Sequence, residues 1–385
     1  MSTQRGRGAV GESAAVPLAG TLADPCLERG EAGASTGTAG GGGTLDVFLS
    51  GTVFIDMIFS GIDVLPAPGT EVFSRGLGSA PGGIANLAVA MSRLGLRVGL
   101  AAAFGDDVFG GYLWRTLTDQ EGIDLGPSRR LRRWPTPVTV SMAAAGDRSM
   151  VTYGEPLPFP RAELVTRPPR ARSCVIDLDE GMPDWVPGLR RTGATVYADV
   201  GWDATGIWSP ALFDLLSGVD VFLPNAPEAM AYTRTDSPEA ALAALAEHVP
   251  TCVVKVGSRG AIGIDATTGE QASAPAIPVD ALDTTGAGDV FAAAFIFGSL
   301  VGWPLADRLR FGNLCAGLSV RHYSGSLGAP CWGEIAAWGE DRESDPRVDD
   351  DTLAQYGFVV PYIPEYATAD TTRAQPTVGY GVGID

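Results

Sequence analysis

The sequence predicts an α/β fold: a central, mostly parallel sheet with helices on both faces, and a small separate β-sheet acting as a lid. Two observations carry this. Short apolar runs rich in β-branched residues alternate with stretches of helical periodicity, as expected of parallel strands buried on both faces. One region, TPVTVSMAAAGDRSMVTYG, breaks that rhythm with two half-alternating runs around Gly146-Asp147, the pattern of a β-hairpin. The length, 385 residues with 45% hydrophobic, is ample for one large packed unit.

In chain order, residues 1–44 contain no aromatic residue and end in GTAGGGGT. Such a segment cannot bury enough apolar surface to offset its ordering entropy, so a disordered extension is expected. LDVFLSG reads as the first strand, and Ile84 to Leu94 as a helix ended by Gly95. VGLAAAFG reads as a strand and Val108 to Glu121 as a helix. CVIDLD, TVYADVG, VDVFLPN and TCVVKVG are further buried strands, separated by helices that include the Ala-rich Pro238–His248. The lid is expected from about 65–80 and 136–155, and its hairpin can cover a site on the α/β body. In YADVGWDATGIW a packed core Trp is expected at Trp202, with a place beside the substrate site for Trp202 or Asp203 as the alternative. Val290 to Trp303 is the longest apolar run, too short for a membrane span and suited to a buried helix. From Glu340 to Asp385 there are ten acids and three bases, a net of −7. That tail is expected to stay largely solvated, with Phe358, Tyr362, Tyr366 and Tyr380 available to dock on the body. The folded unit is therefore 45–339, flanked by extensions at 1–44 and 340–385.

Composition excludes several functions. The net charge is −18, so there is no general electrostatic footprint for nucleic acid or an anionic membrane. Lys255 is the sole lysine, and His248 and His322 are the only histidines. Cys26, Cys174, Cys252, Cys315 and Cys331 show no CxxC pairing, which argues against zinc and for reduced thiols in a cytoplasmic protein. No signal peptide is visible at the N-terminus. There is no GxxxxGK[ST] and no GxGxxG after the first strand, so the P-loop and dinucleotide-binding readings fail.

The strongest chemical signal is ALDTTGAGDVFAAAFIFGSL, where a polar, Gly-rich turn runs straight into an apolar helix. Glycines let the backbone approach a ligand, and the first amides of a helix point outward at the positive end of its dipole. Gly286, Ala287 and Gly288 thus form an anion cradle suited to a transferring phosphoryl group. Asp289, in the first helical turn, is placed to accept a proton from a substrate hydroxyl, as a carboxylate ionised at pH 7 can do. A helix start with a capping Asp is the plain alternative.

DTTGAGD followed by this helix resembles the C-terminal signature of the ribokinase/phosphofructokinase-B family of carbohydrate kinases. Gly82-Gly83-Ile84-Ala85-Asn86-Leu87-Ala88 with Leu94-Gly95 resembles its N-terminal signature, about 200 residues earlier. The resemblance spans roughly Leu45 to Cys331. It implies a ribokinase-like three-layer sandwich and an ATP-dependent, magnesium-dependent phosphotransferase acting on a sugar hydroxyl. A nucleoside kinase, or one acting on an inositol-like alcohol, is the alternative, its mark an aromatic stacking residue such as Phe54, Phe73 or Tyr153. The resemblance gives Asp56, Gly82, Gly83 and Asn86 to the substrate, with Gly105-Asp106-Asp107 and Gly110 in the next loop. Asn225 and Glu228 match the Asn-x-x-Glu element that positions magnesium and phosphate, Glu228 through water; by themselves they read as a capping box. Lys255, Gly257 and Gly260 match the strand-turn-strand lining the nucleotide, and Asn313 a helix position facing adenine. Asp283 and Thr285 match positions that bind a monovalent cation such as K+ in many members, while RHYSGSLGAP departs from the pattern of the remaining ligands. An exposed lid edge offers a pairing surface for a second copy, hence a homodimer.

Overall fold

The structure is a computed structural model that describes residues 44–144, 147–179, 181–203, 205–322, 324–340, 347–365 and 367. The extension expected over 1–44 therefore lies outside the described residues except for Thr44, as do Cys26, Gly146, Tyr366 and Tyr380.

The strands are β1 Leu45–Ser50, β2 Val53–Ile62, β3 Gly76–Gly83, β4 Val98–Ala101, β5 Ala103–Gly105, β6 Arg129–Leu131, β7 Val138–Ala144 and β8 Asp147–Tyr153. They continue with β9 Ala171–Asp177, β10 Thr195–Asp199, β11 Val221–Phe222, β12 Thr251–Lys255, β13 Ala261–Asp265 and β14 Glu270–Ala274. Eight of them form the main sheet, in the order β14-β13-β12-β11-β10-β9-β1-β4. From β12 to β4 neighbours run parallel; β13 and β14 are antiparallel additions at one edge. Val47, Phe48 and Leu49 of β1 are all buried, which is why that run is apolar without alternation.

Helices cover both faces. One layer holds α1 Ile84–Arg93, α2 Val108–Arg115 and, later in the chain, two long helices whose packed core includes Val290–Phe297 and Leu305–Leu318. The opposite layer holds α3 Val186–Arg190, α4 Ala211–Leu216, α5 Ala226–Thr233 and α6 Pro238–Leu245. The two long helices are α7 Ala287–Leu300 and α8 Leu305–Ser319, followed by α9 Trp332–Glu340 and α10 Asp350–Ala354. The stretch read as helical to Glu121 changes at Thr116 into a π-helical turn, Thr116–Gln120. Among the described residues no helix is long and apolar enough to cross a membrane.

The lid is a four-stranded sheet, β3-β2-β7-β8. Its hairpin β7–β8 pairs Val138 with Tyr153 through Ala144 with Asp147. Its central strand β2 is not part of the expected 65–80 and 136–155 segments, and residues 64–75 form no strand. Gly51 and Thr52 turn the chain out of the main sheet between two apolar runs, leaving no polar gap to mark the boundary. Asp56 lies within β2, opposite Ala80 and Thr139.

At the other end, Tyr356, Phe358 and Tyr362 pack against Trp338 and Trp303, and Arg347 bonds Asp280 through both guanidinium nitrogens. Trp202 is 69% exposed and stacks edge-on against Trp208, which is the buried tryptophan of that run. Cys174, Cys252 and Cys315 are buried free thiols, whereas Cys331 is disulfide-bonded, which corrects the reading of reduced thiols there.

Candidate active site

The site is organised around the first turn of α7. Gly286 begins it with φ 72°, a conformation that favours glycine, and a Cβ there would stand 2.7 Å from Gly325 Cα. Asp283 shapes the turn: its Oδ1 accepts hydrogen bonds from Thr285 N at 3.0 Å and Thr285 Oγ1 at 2.7 Å. Asp283 Oδ2 is buried and has no hydrogen-bond partner. The Ala287 amide bonds Thr284 O at 3.3 Å, so the turn closes partly on itself. Asp289 projects from the first turn, and its Oδ2 accepts a 2.9 Å bond from Asn86 Nδ2. Asn86 itself is carried by α1, which starts at Gly83 with φ 64°.

Asp56 approaches from the lid. Its carboxylate packs flat on Gly82, where any Cβ would overlap it. Burial, and then the charges of Asp289 and Asp283, push its pKa up to about 7. Asp56, Gly82, Gly83, Asn86, Asp283, Gly286, Gly288 and Asp289 thus converge from three segments distant in sequence.

The Lys255 ammonium reaches the same place from β12. A Cβ on Gly288 would lie 3.5 Å from Lys255 Nζ. Nζ also donates to Asp199 Oδ2 at 2.6 Å, at the end of β10. Burial alone would lower the Lys255 pKa, but Asp199, Glu228 and Asp289 together hold it above the ordinary value. Asn225 and Glu228 form the capping box of α5: Glu228 N donates to Asn225 Oδ1 (2.9 Å) and Asn225 N to Glu228 Oε2 (3.0 Å). Burial, and next the charge of Asp199, push Glu228 up to about 7. Gly257 (φ 59°) and Gly260 (φ 95°) bracket the turn after β12; a Cβ on Gly257 would meet nothing within 4 Å, so that face is open. Asn313 is buried on α8 and donates through Nδ2 to Ala274 O (2.9 Å) and Pro275 O (3.0 Å). It fastens the segment after β14, and both of these bonds use the amide nitrogen.

A cavity of about 390 Å³ opens between the lid turn and the sheet, lined among others by Thr52, Phe54, Gly83, Asp177, Asp199 and Asp289. Asp177 and Asp199 end the adjacent parallel strands β9 and β10, where open α/β sheets place ligands. That strand-end position was the signal by which both could have been read from sequence. Burial pushes Asp177 up to about 6.

A family model described as pfkB family carbohydrate kinase matches residues 67–160 and 190–331. The chain belongs to the pfkB family of carbohydrate kinases. As a member it is a phosphotransferase acting on an alcohol group. It is 24% identical over 324 residues to the 5-dehydro-2-deoxygluconokinase of Geobacillus thermodenitrificans, covering 76% of this chain and 92% of the relative. It is 29% identical over 309 residues to the nucleoside kinase of Methanothermobacter thermautotrophicus, covering 76% and 97%. Arabidopsis thaliana ribokinase, solved with ribose and ATP, superposes with a TM-score of 0.61 at 23% identity over 75% of this pfkB kinase and 96% of that chain. A putative ribokinase II from E. coli, solved with ATP and Mg2+, gives 0.63 at 21% over 77% and 99%. The shared fold is the ribokinase-like three-layer sandwich with its lid.

Proposed function

We propose that this pfkB kinase transfers the γ-phosphate of ATP to a hydroxyl of a sugar, with Asp289 as general base and the start of α7 as the phosphate cradle. The observation that carries the reading is Asp289 itself: a carboxylate in the first turn of a helix, oriented by Asn86, on the wall of a cavity that Asp56 approaches from the lid. Asp289 takes the proton from the acceptor hydroxyl, while Gly286 and Gly288 keep the backbone bare enough for close approach of the phosphoryl oxygens. Asp56 and Gly82–Gly83 hold the other hydroxyls. Lys255 adds a positive charge at the cradle of an otherwise acidic protein.

The residues present suit magnesium near Glu228: its carboxyl is crowded by Asp199, an arrangement a divalent cation relieves. Held by Glu228 through water beside Asn225, it would neutralise phosphate charge. The orphaned Asp283 Oδ2, with Thr285 beside it, likewise suits a monovalent cation such as K+. Nucleotide contacts fall to Lys255, Gly257 and Gly260, and a homodimer forms through the lid, whose edge strand β8 exposes Met150, Val151 and Tyr153. A coupled ADP-release assay across pentoses, hexoses, inositol and nucleosides tests the reading. Turnover of a sugar that disappears in Asp289→Asn supports it; ADP release unaffected by that change would refute it.

A further inference from the structure

Acids outnumber bases in this chain, and its arginines commonly sit against one: Arg93, Arg308 and Arg310 each pair with a carboxylate at 2.8 Å. One group does not. Arg115, Arg130, Arg132 and Arg133 are exposed, and among the described residues none of their guanidinium groups ion-pairs with a carboxylate. They come from the end of α2 and from PSRRLRRW at 127–134, which contains β6. Two of the four are aimed at one spot. Arg130 lies opposite Phe104 in the pairing of β5 with β6. Phe104 is fully buried and meets Trp114 edge-on at 5.3 Å, and the Arg130 guanidinium lies over the Trp114 ring at 5.5 Å. Arg115 follows Gly111 by four residues, so its side chain reaches back along the same helix face. A Cβ on Gly111 would lie 3.5 Å from Arg115 Nη1 and 3.9 Å from Arg130 Nη2. Two positive groups thus stand over one helix position that carries no side chain. Arg129, by contrast, is used by the fold: it covers Phe159 and donates to Glu163 O.

We infer that Arg115 and Arg130 form a binding site over Gly111 for a small phosphate-bearing ligand. Like charges gathered without an acid repel each other, and an anion between them turns that repulsion into attraction. A guanidinium fork matches the oxygens of a phosphate, and here two forks meet it from two sides. Stacking on Trp114 orients Arg130 in advance, which lowers the cost of ordering it on binding. Arg132 and Arg133 raise the local potential. The net charge of −18 repels a long polyanion as a whole, whereas a small phosphate responds chiefly to the groups within a Debye length of it. None of Gly111, Trp114, Arg115 and Arg130 lines the cavity at Asp289, so the site is separate from the one proposed for phosphoryl transfer, and the inference does not rest on that proposal.

The test is isothermal titration of the full-length protein with two probes, inorganic pyrophosphate and D-ribose 5-phosphate, which separate an inorganic anion from a phosphate ester. Each probe can also enter the turn at Gly286, so the reading is the difference between proteins. The native protein has one site for at least one probe that weakens at least about tenfold in Arg115→Gln with Arg130→Gln, as loss of two charge-assisted donors requires. Arg167→Gln with Arg170→Gln makes the same change of net charge at two other exposed arginines and leaves that site intact. Gly111→Glu places a carboxylate under both forks and abolishes the site, while its melting temperature stays level or rises because Glu suits a helix better than Gly. The inference is overturned if neither probe binds, if the native protein and the Arg115/Arg130 variant bind alike, if the Arg167/Arg170 variant loses as much, or if Gly111→Glu binds like the native protein. A 20-nucleotide RNA that binds more tightly than both probes, and is lost in the Arg115/Arg130 variant, would also overturn it in favour of a nucleic-acid surface.

Discussion

Asn86 Nδ2 donates a 2.9 Å hydrogen bond to Asp289 Oδ2 and so joins the first turns of α1 and α7. The residue assigned to substrate contact also orients the proposed base. Asn86 Oδ1, buried and without a hydrogen-bond partner, sits against Gly325, where a Cβ would come within 2.9 Å of it. The amide is therefore held on one side by packing and on the other by a charge-assisted bond. Replacing Asn86 with Leu keeps the volume and removes the donor. We expect kcat to fall by roughly 10- to 100-fold, as misplacement of a catalytic group does, with the KM for ATP little changed. Steady-state kinetics with ATP varied at saturating acceptor checks this.

Asp289→Asn removes the proton acceptor and retains the shape. General-base catalysis supplies about 10²- to 10⁴-fold, so turnover should fall by at least that range. The melting temperature and ADP affinity should stay near those of the native protein. A large loss of ADP affinity would instead assign Asp289 to the nucleotide.

Most of the fold was legible because most main-sheet strands are short apolar runs ended by a polar turn, as TCVVKVG is around β12, although the edge strand β14, EQASA, is not. The Gly-rich turn that opens α7 was legible because its glycines and acids sit in one contiguous string. What escaped depends on strand order. Lys255 and Asp199 meet across β11, whose two residues leave the strand ends close, and nothing local to either residue announces the other. β2 was hidden in the lid because it continues the apolar run of β1 after only Gly51 and Thr52. Asn225 and Glu228 show the reverse: their capping box is local, so the spacing sufficed.

Arg93 is buried on α1, two turns beyond Asn86. It pairs with buried Glu121 at 2.8 Å and donates from Nη1 to Leu327 O (3.0 Å) and Ala329 O (2.7 Å). These carbonyls belong to the loop whose Gly325 abuts Gly286. Arg93→Met takes the guanidinium away from buried Glu121, a loss of about 3 kcal/mol or more. Arg93→Met with Glu121→Leu should recover much of that stability. Amide exchange at 284–289 should stay faster than in the native protein, because the loop carbonyls remain untethered. Hydrogen-exchange mass spectrometry on the double variant reads this directly.

Asp56 makes stability depend on pH. Its carboxyl is raised to about 7 in the folded protein, against 3.8 as the ordinary value. Between about pH 4 and 7 the unfolded chain has lost this proton while the native state keeps it. Stability therefore falls as pH rises through that window and levels off above it, by on the order of a few kcal/mol. Asp56→Asn removes this contribution, so its melting temperature should gain on the native protein between pH 5 and pH 8. Acceptor binding moves oppositely: ionised Asp56 accepts hydroxyl hydrogens, so the acceptor KM should drop as pH passes 7 in the native enzyme and stay flat in the variant.

The Lys255–Asp199 pair separates structural from electrostatic roles. Lys255→Met leaves Asp199 largely buried beside Asp177 and Glu228 without its ammonium partner. Breaking such a pair costs about 3 kcal/mol, somewhat less here because both side chains keep some exposure. Adding Asp199→Leu removes the stranded charge and should restore most of the melting temperature. If the ammonium also neutralises phosphate at Gly288, kcat/KM for ATP stays depressed in the double variant even though the fold has recovered. Both single and double variants should then show the same deficit in ATP use while differing in stability. Recovery of ATP kcat/KM together with the melting temperature would confine Lys255 to holding Asp199.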